Sequence, residues 1–307
     1  MIGSHADIEA VRLGDVREFF KQYYAPNNAS IAIVGDIDKT KAKALVEKYF
    51  GPLQAGEPVP KIEVTTPPIT SERRAVVNDQ IELPRVYMAW ISDPIYKPGD
   101  AEADLLAKLL GGGKSSRLYK KLVYDKQIAQ DVIAQQQSLI LGSIFNIEAT
   151  AKPGVKLEDL EKAIDEELAV LRNEGPSETE VERARNSIET QIIRGLETLG
   201  GFGGVADRLN QYNHYLGDPD YLAQDLARYR QATPAGIQKV VQENSKKMRV
   251  WSSTACLETK SSKTFPKRRK PKRQKRLRRP LRLLVVAATI SRRNGGQLCL
   301  APVLPRN

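Results

Sequence analysis

Apolar positions recur at helical spacing along most of this chain and run continuously in a few short stretches. After Gly14-Asp15, residues Val16, Phe19, Phe20 and Tyr23 fall on one helical face, and Pro26-Asn27-Asn28 ends that helix with turn-forming residues. Ala29 to Val34 is apolar and β-branched over the length of a strand. Gly35-Asp36-Ile37-Asp38 then leads into a helix carrying Ala42, Leu45, Val46, Tyr49 and Phe50, closed by Gly51. Residues 51–70 hold Pro52, Pro58, Pro60, Pro67 and Pro68, which resist both helix and central strand, and they read as a linker.

Beyond the linker, Ala75 to Val77 and Arg85 to Ile91 read as strands. Pro98-Gly99-Asp100 starts a helix whose buried stripe is Leu105, Leu106, Leu109 and Leu110. A further helix is expected from Ser116 to about Lys126, then strands at Val132 to Gln137 and Ser143 to Thr150 with a turn near Gly142. Most of the rest is helical. Leu157, Leu160, Ile164, Leu168 and Leu171 form one stripe, Ser177 to Glu180 make a capping box, and Thr233-Pro234 places an N-cap before a first-turn proline. Met248 to Thr254 returns as a last strand. Strands followed by helices predict an α+β fold, a mainly antiparallel sheet with helices packed on one face.

Charge divides the chain differently. The 307 residues carry 48 Lys and Arg against 37 Asp and Glu, a net +11. Sixteen of those bases, and no acid, lie from Thr259 onward, so the body before it is slightly acidic and the tail strongly basic. Cys256 and Cys299 make neither a disulfide framework nor a C-x-x-C site, leaving the redox compartment open. No basic-then-apolar start resembles a signal peptide, and no apolar run reaches the ~18 residues of a membrane span, so a soluble chain is expected.

The stretch LLGGGKSSRLYKKL, residues 109–122, raises the question of a phosphate loop. A Walker loop needs G-x-x-x-x-G-K-[ST] after a buried strand. Counting back five from Gly113 reaches Lys108, and a leucine-striped helix precedes it. The expectation is a helix-to-helix turn in which Gly111 to Gly113 take positive φ and Ser115 or Ser116 caps the second helix. The two histidines, His5 and His214, have no second ligand at helical spacing; His5 reads as an exposed loop residue and His214 as a helix-end residue before Gly217-Asp218-Pro219. Glu166, Glu167, Glu178, Glu180 and Glu182 read as solvated helix faces, and no G-x-S-x-G elbow is present. These patterns identify no catalytic residue and no metal ligand.

Particular runs of residues carry more. Asp15-Val16-Arg17-Glu18-Phe19-Phe20-Lys21-Gln22-Tyr23-Tyr24-Ala25-Pro26-Asn27-Asn28-Ala29 and Val34 to Asp38 closely resemble the pitrilysin/insulinase-type zinc metallopeptidases, the inverzincins. So do Leu83 to Tyr87, Leu109 to Leu118, and Leu122 to Gln130, with weaker likeness at Glu182 to Arg185 and Gly217 to Pro219. The resemblance covers about residues 2–250 and implies paired α+β units closing as a clamshell around an extended peptide. With the proline-rich linker at 51–70, it implies 1–50 as the second half of a first peptidase domain and 71–256 as a second, non-zinc domain; 257–307 leave the resemblance and read as a basic, disordered tail.

The departures set the function expected. The family's H-x-x-E-H zinc motif is not in this chain and is expected upstream of Met1, so zinc belongs to complete family members and no cofactor is expected here. Some members hold the substrate carbonyl with an arginine and a tyrosine seven residues apart; alignment on Ser115 to Leu118 puts Val123 and Gln130 at those positions. Val123 is then a packing residue, while Gln130 is the candidate peptide contact.

The chain is expected to be the non-catalytic portion of a peptidase, inactive alone. The alternative is a non-enzymatic peptide-binding or partner subunit completing a zinc-bearing chain. The partners implied are peptide or unfolded polypeptide and a zinc-bearing peptidase half, not nucleic acid. The resemblance allows a periplasmic or secreted complete protein. An apolar face is expected where the other half should pack.

Lys267 to Arg282 reads either as an anionic-surface arm or as sequence never selected, such as a shifted reading frame. The arm reading requires that deleting residues 259–307 abolish salt-sensitive DNA binding, measured by titration at two salt concentrations; unchanged binding refutes it.

Overall fold

A computed structural model gives the structure of residues 4–60, 62, 71–79, 81–247, 251–257, 288–292 and 298–300. Most of the basic tail, including Lys267 to Arg282, and the linker prolines Pro67 and Pro68 lie outside the described residues. The chain runs through α1 (His5–Ala10), α2 (Leu13–Tyr23), β1 (Ile31–Ile33), α3 (Lys39–Phe50), β2 (Arg73–Asp79), β3 (Arg85–Ser92) and α4 (Asp100–Gly111). It continues through β4 (Ala129–Gln137), β5 (Ser143–Ala151), α5 (Leu157–Glu174), α6 (Glu178–Gly195), α7 (Val205–Leu216), α8 (Leu222–Gln231) and α9 (Pro234–Lys247). Strands β6 (Trp251–Leu257), β7 (Ala288–Arg292) and β8 (Leu298–Leu300) follow. The last strand of the body is thus β6; Met248 to Val250, expected to begin it, lie outside the described residues.

Two compact units divide these elements. One holds Met1–Glu63, Ile193–Ala223 and Arg279–Asn307, the other Val64–Ile192 and Gln224–Arg278.

In the first unit Asp38 caps α3 by accepting from the Thr40 and Lys41 amides at 2.7 and 3.1 Å. The Asn28 side-chain amide donates to the Tyr23 carbonyl at 2.8 Å, which closes the turn after α2. Ser30 of the β1 approach bonds Asn210 of α7 at 2.5 Å, and α7 ends at left-handed Gly217. Its buried residues are few. Ala25, Ala42 and Tyr212 are buried, yet α2 buries none of its side chains, so the stripe of Val16, Phe19 and Phe20 is formed but not covered. His5 opens α1 rather than sitting in a loop, because Ser4 and Asp7 cap that helix from both directions.

The second unit is a five-stranded sheet in the order β2-β6-β3-β5-β4, antiparallel except for the β2–β6 pair. Helices α4, α5 and α9 cover one face. Every second residue of β3 and β5 is buried beneath them: Val86, Met88 and Trp90, then Phe145, Ile147 and Ala149. The predicted stripes supply the helix side, with Leu105, Leu106, Leu109 and Leu110 of α4 and Leu160, Ile164, Leu168 and Leu171 of α5 all buried. Each such side chain removed from water stabilises the fold by about 1.5–3 kcal/mol.

The glycine triplet departs from its expectation. Only Gly113 has positive φ, at 121°. Gly112 caps α4 by donating its amide to the Lys108 carbonyl, and a Cβ there would lie 2.4 Å from that oxygen. Gly111 is needed for proximity instead: a Cβ would lie 2.1 Å from the Ala134 amide nitrogen and 2.8 Å from the Ala134 Cβ. Ser116 does not cap forward; its hydroxyl donates back to the Gly113 carbonyl at 2.6 Å. The helix that follows is a π-helix from Tyr119 to Asp125, not the α-helix expected.

Two glycine substitutions separate these roles. Gly111→Ala should lower stability by about 3 kcal/mol or more, since strand and helix must part. Gly14→Ala, with nothing within 4 Å of the added Cβ in α2, should raise it by about 0.5–1 kcal/mol. Urea unfolding of each variant beside the parent chain reads both.

Candidate functional site

The face of the second unit's sheet opposite the helices is the one that remains accessible. Strand alternation places Arg85, Tyr87, Ala89 and Ile91 of β3 there, with Thr150, Glu148, Asn146 and Ile144 opposite them on β5. Asp131, Ile133, Gln135 and Gln137 of β4 extend those rows. The result is mixed in character: Arg85 bonds Thr150 at 3.0 Å and lies over the Tyr87 ring, while Ile133 and Ile144 stay about 40% exposed. Strand β4 ends the sheet, so its outer edge has no strand neighbour among the described residues.

Gln130 sits where that edge begins. The β4–β5 register shifts between Ala129 and Asp131, so Gln130 is the extra residue of a β-bulge, and its side chain is exposed. The approach to it is built by backbone. Gln127 takes a φ of 53°, and the Ile128 amide donates to the Leu122 carbonyl at 2.9 Å, reversing the chain from the π-helix into β4. Val123 lies on that π-helix, half-buried beside fully buried Leu122. Its side chain has no hydrogen-bonding group, so of the two aligned positions only Gln130 offers one.

The ionic groups of this unit are structural clusters. Arg117, just before the π-helix, donates to Glu180 at 2.7 and 2.8 Å and to Glu167 at 3.1 Å. Glu180 also accepts from the Ser177 amide, closing the capping box of α6. The Arg117 bonds, helped by Ser177 and opposed by burial, hold the Glu180 carboxyl down at about 2. Glu167 and Glu180 are therefore not solvated faces, as their spacing suggested. They lie on different helices, α5 and α6, and a shared guanidinium is a tertiary fact.

A second cluster joins α4 to α8. Asp100, fully buried, accepts from Ser138 at 2.6 Å, from the Tyr96 amide at 3.0 Å and from Arg228 at 2.8 Å. Arg228 also donates to Asp225 at 2.6 and 3.1 Å, and lies over the rings of Tyr96 and Tyr229. Tyr229 donates to Asp104 at 2.8 Å. Burial pushes the Asp104 carboxyl up to about 7; the Tyr229 bond opposes this and the Asp100 charge adds to it. Burial and the neighbouring Asp104 charge likewise raise the Tyr229 phenol.

A zinc site is not among these groups. His5 and His214 are both exposed, at the start of α1 and near the end of α7. Among the described residues no group of three or more His, Cys, Asp or Glu side chains is arranged to hold a metal ion. No described helix is long and apolar enough to cross a membrane.

Comparison with known proteins names the kind of α+β domain that these elements build. The sequence pattern of the family described as the Peptidase M16 inactive domain matches residues 10–188. The chain belongs to that family, and so corresponds to a non-catalytic half of a zinc-protease-like protein. It is 32% identical over 233 residues to the zinc protease PqqE of Helicobacter pylori, covering 73% of this chain and 51% of that protein. An uncharacterized zinc protease of Streptomyces coelicolor is 22% identical over 255 residues, 79% of this chain and 53% of its own length. The chain thus spans about half the length of the curated relatives it matches.

Among solved structures, a protease from Helicobacter pylori superposes with a TM-score of 0.73 at 26% identity, covering 83% of this chain and 61% of that one. A peptidase M16 inactive domain from Pseudomonas fluorescens shares the fold, with a TM-score of 0.66 at 17% identity over 82% of this chain and 59% of that one.

The buried carboxyl sets a pH dependence. With Asp104 titrating near 7 in the fold and near its ordinary 3.8 when unfolded, the folded state binds an extra proton between those values. Stability from that proton is fully present below about 4 and lost as the pH rises through 7, at up to about 1.4 kcal/mol per pH unit. Urea unfolding from pH 5 to 8 should show this decline in the parent chain and a flatter profile in Asp104→Asn. Glu180, whose shift is downward, titrates below that window.

Proposed function

We propose that this chain is the non-catalytic portion of a zinc-metallopeptidase-type protein, that it presents an extended peptide to the zinc-bearing half, and that it cleaves nothing alone. The carrying observation is the match to the inactive domain of a peptidase family over residues 10–188, in a chain that spans about half the length of the relatives named zinc proteases. The open face and the β4 edge, which has no strand neighbour among the described residues, support the peptide role. An unpaired edge offers alternating backbone donors and acceptors to an extended segment, and the adjoining rows of Gln, Asn and Ile side chains tolerate varied sequence.

Within this reading Gln130 is a peptide contact. A bulge directs its amide away from the ladder, where it offers both a donor and an acceptor to a peptide group. On this reading residues 1–50 are the second half of a first peptidase-like domain, residues 51–70 a linker and residues 71–256 the second domain, although Ile193–Ala223 pack with the first unit; zinc is supplied by the other half.

Mixing the purified chain with the separately produced half of the Helicobacter pylori zinc protease that it does not match should give a complex that cleaves unstructured peptides, while neither piece does so alone. Gln130→Ala in that complex should raise KM about 3- to 10-fold with little change in kcat, as removal of a binding contact does. Absence of association sinks the proposal, and so does stoichiometric zinc with peptidase activity in the isolated chain.

A further inference from the structure

Helix α8 is seated on carboxylates instead of on an apolar stripe. The side chains it buries are Asp225 and Tyr229, whereas α4, to which it is bonded, buries Leu105, Leu106, Leu109 and Leu110. Arg228 of α8 donates to Asp100 and Asp225, and the Tyr229 phenol donates to Asp104 at 2.8 Å. A helix held by apolar burial keeps its place at any pH; one held by covered carboxylates keeps it only while their charges are balanced.

The balance fails at Asp104. Arg228 directs its hydrogen bonds at Asp100 and Asp225, so Asp104 receives a phenol, and both neighbouring carboxylates raise the cost of its charge. On the strands beneath α4, the residues turned towards it are uncharged: Val132, Ala134 and Gln136 of β4, then Phe145 and Ile147 of β5. On α9, Lys239 pairs with Glu243 at 3.7 Å in solvent, and Glu102 of α4 lies towards Gly236. On α6, Arg185 donates to the Tyr229 and Ala232 carbonyls at 3.1 and 2.9 Å, and Glu189 pairs with Arg230. Lys108, one turn beyond Asp104, donates to Gln191 of α6 at 3.2 Å. In the loop before α4, Asp93 lies against Gly99 and Lys97 is exposed.

Strain is held in the same cluster. Tyr96 has a φ of 63°, a costly conformation for a bulky side chain, with its amide donating to Asp100 and Arg228 lying over its ring. The far end of α8 is fixed differently. Arg185 bonds the carbonyls there, and those bonds depend on no carboxyl. The first turn of α8 also contains the point, Ala223 to Gln224, at which the chain passes from the first unit into the second.

We infer that α8 is a pH-sensitive latch, closed on α4 while the Asp104 carboxyl carries its proton and lifted at its N-terminal turns once that proton passes to solvent, with Arg185 as the pivot. Opening gives the carboxylate water in place of a covered site. In the closed form burial drives the carboxyl up to about 7, opposed by the Tyr229 bond and the Arg228 charge and aided by Asp100 and Asp225. In the open form it returns to its ordinary 3.8. Below about 4 both forms carry the proton, between about 4 and 7 only the closed form does, and above 7 neither does. Closure is therefore strongest in acid, weakens by up to about tenfold per pH unit towards 7, and levels off beyond it.

The test is amide hydrogen exchange of the full chain, resolved by mass spectrometry from pH 5 to 8 and corrected for the intrinsic exchange rate. Amides of α8 should exchange faster than those of β3 and β5 and be insensitive to 1 M urea, the mark of a local opening. Their opening should grow at least about 10-fold from pH 5 to 7 and then level off, whereas Asp104→Asn should show no such growth. Tyr229→Phe should move the levelling point to higher pH, because the bond it removes favours the charged carboxyl. Exchange of α8 with the protection and urea dependence of β3 and β5 overturns the inference, since α8 then opens only with the whole domain. Growth that is absent from the parent chain, or that Asp104→Asn retains, overturns it as well. Should Asp104→Asn fail to fold by circular dichroism, Tyr229→Phe decides, and an unmoved levelling point overturns the latch.

Discussion

The second unit is organised around one close approach, that of the last turn of α4 to the backbone of β4 at Gly111 and Ala134. No side chain larger than hydrogen fits between them. With the helix seated that low on the edge strand, the leucines of α4 reach the alternate residues of the sheet, and one face becomes core. Helices α4, α5 and α9 lie on that face, and the opposite face keeps the exposed Ile133 and Ile144. Beside it, β4 has no outer strand neighbour among the described residues and begins at the bulge at Gln130.

Polar groups hold the helical layer in register where apolar packing alone would let helices slide. Arg117 draws α5 and α6 to the segment before the π-helix, and Arg228 draws α8 to the start of α4. Each guanidinium is satisfied by two carboxylates, which offsets the cost of burying charge. The Asp104 carboxyl differs from these. It has a tyrosine for a partner instead of a cation, and burial therefore favours its neutral form.

Much of the fold was legible because its signals are local. The α5 stripe, the Asp38 cap, the Ser177 to Glu180 box and the Thr233-Pro234 start each depend on residues within a few positions of one another. The site was less legible. Gln130 was marked by resemblance, but its place at a bulge depends on the register of β5, and the π-helix before it depends on where Leu122 must be buried. Glycine misled in one respect: the triplet was read for φ, whereas two of its three members serve proximity and capping.

By itself the sequence determined the order and kind of the elements, the absence of a nucleotide loop at the glycine triplet, and the kinship with metallopeptidases, since periodicity, capping residues and short motifs are encoded in neighbouring positions. Tertiary structure alone decided which face of each element is covered. The α2 stripe has the same spacing as those of α4 and α5, yet it lies open while theirs are buried. Amphipathic spacing specifies that a helix has an apolar face; what covers it is settled by segments distant in the chain or by another polypeptide.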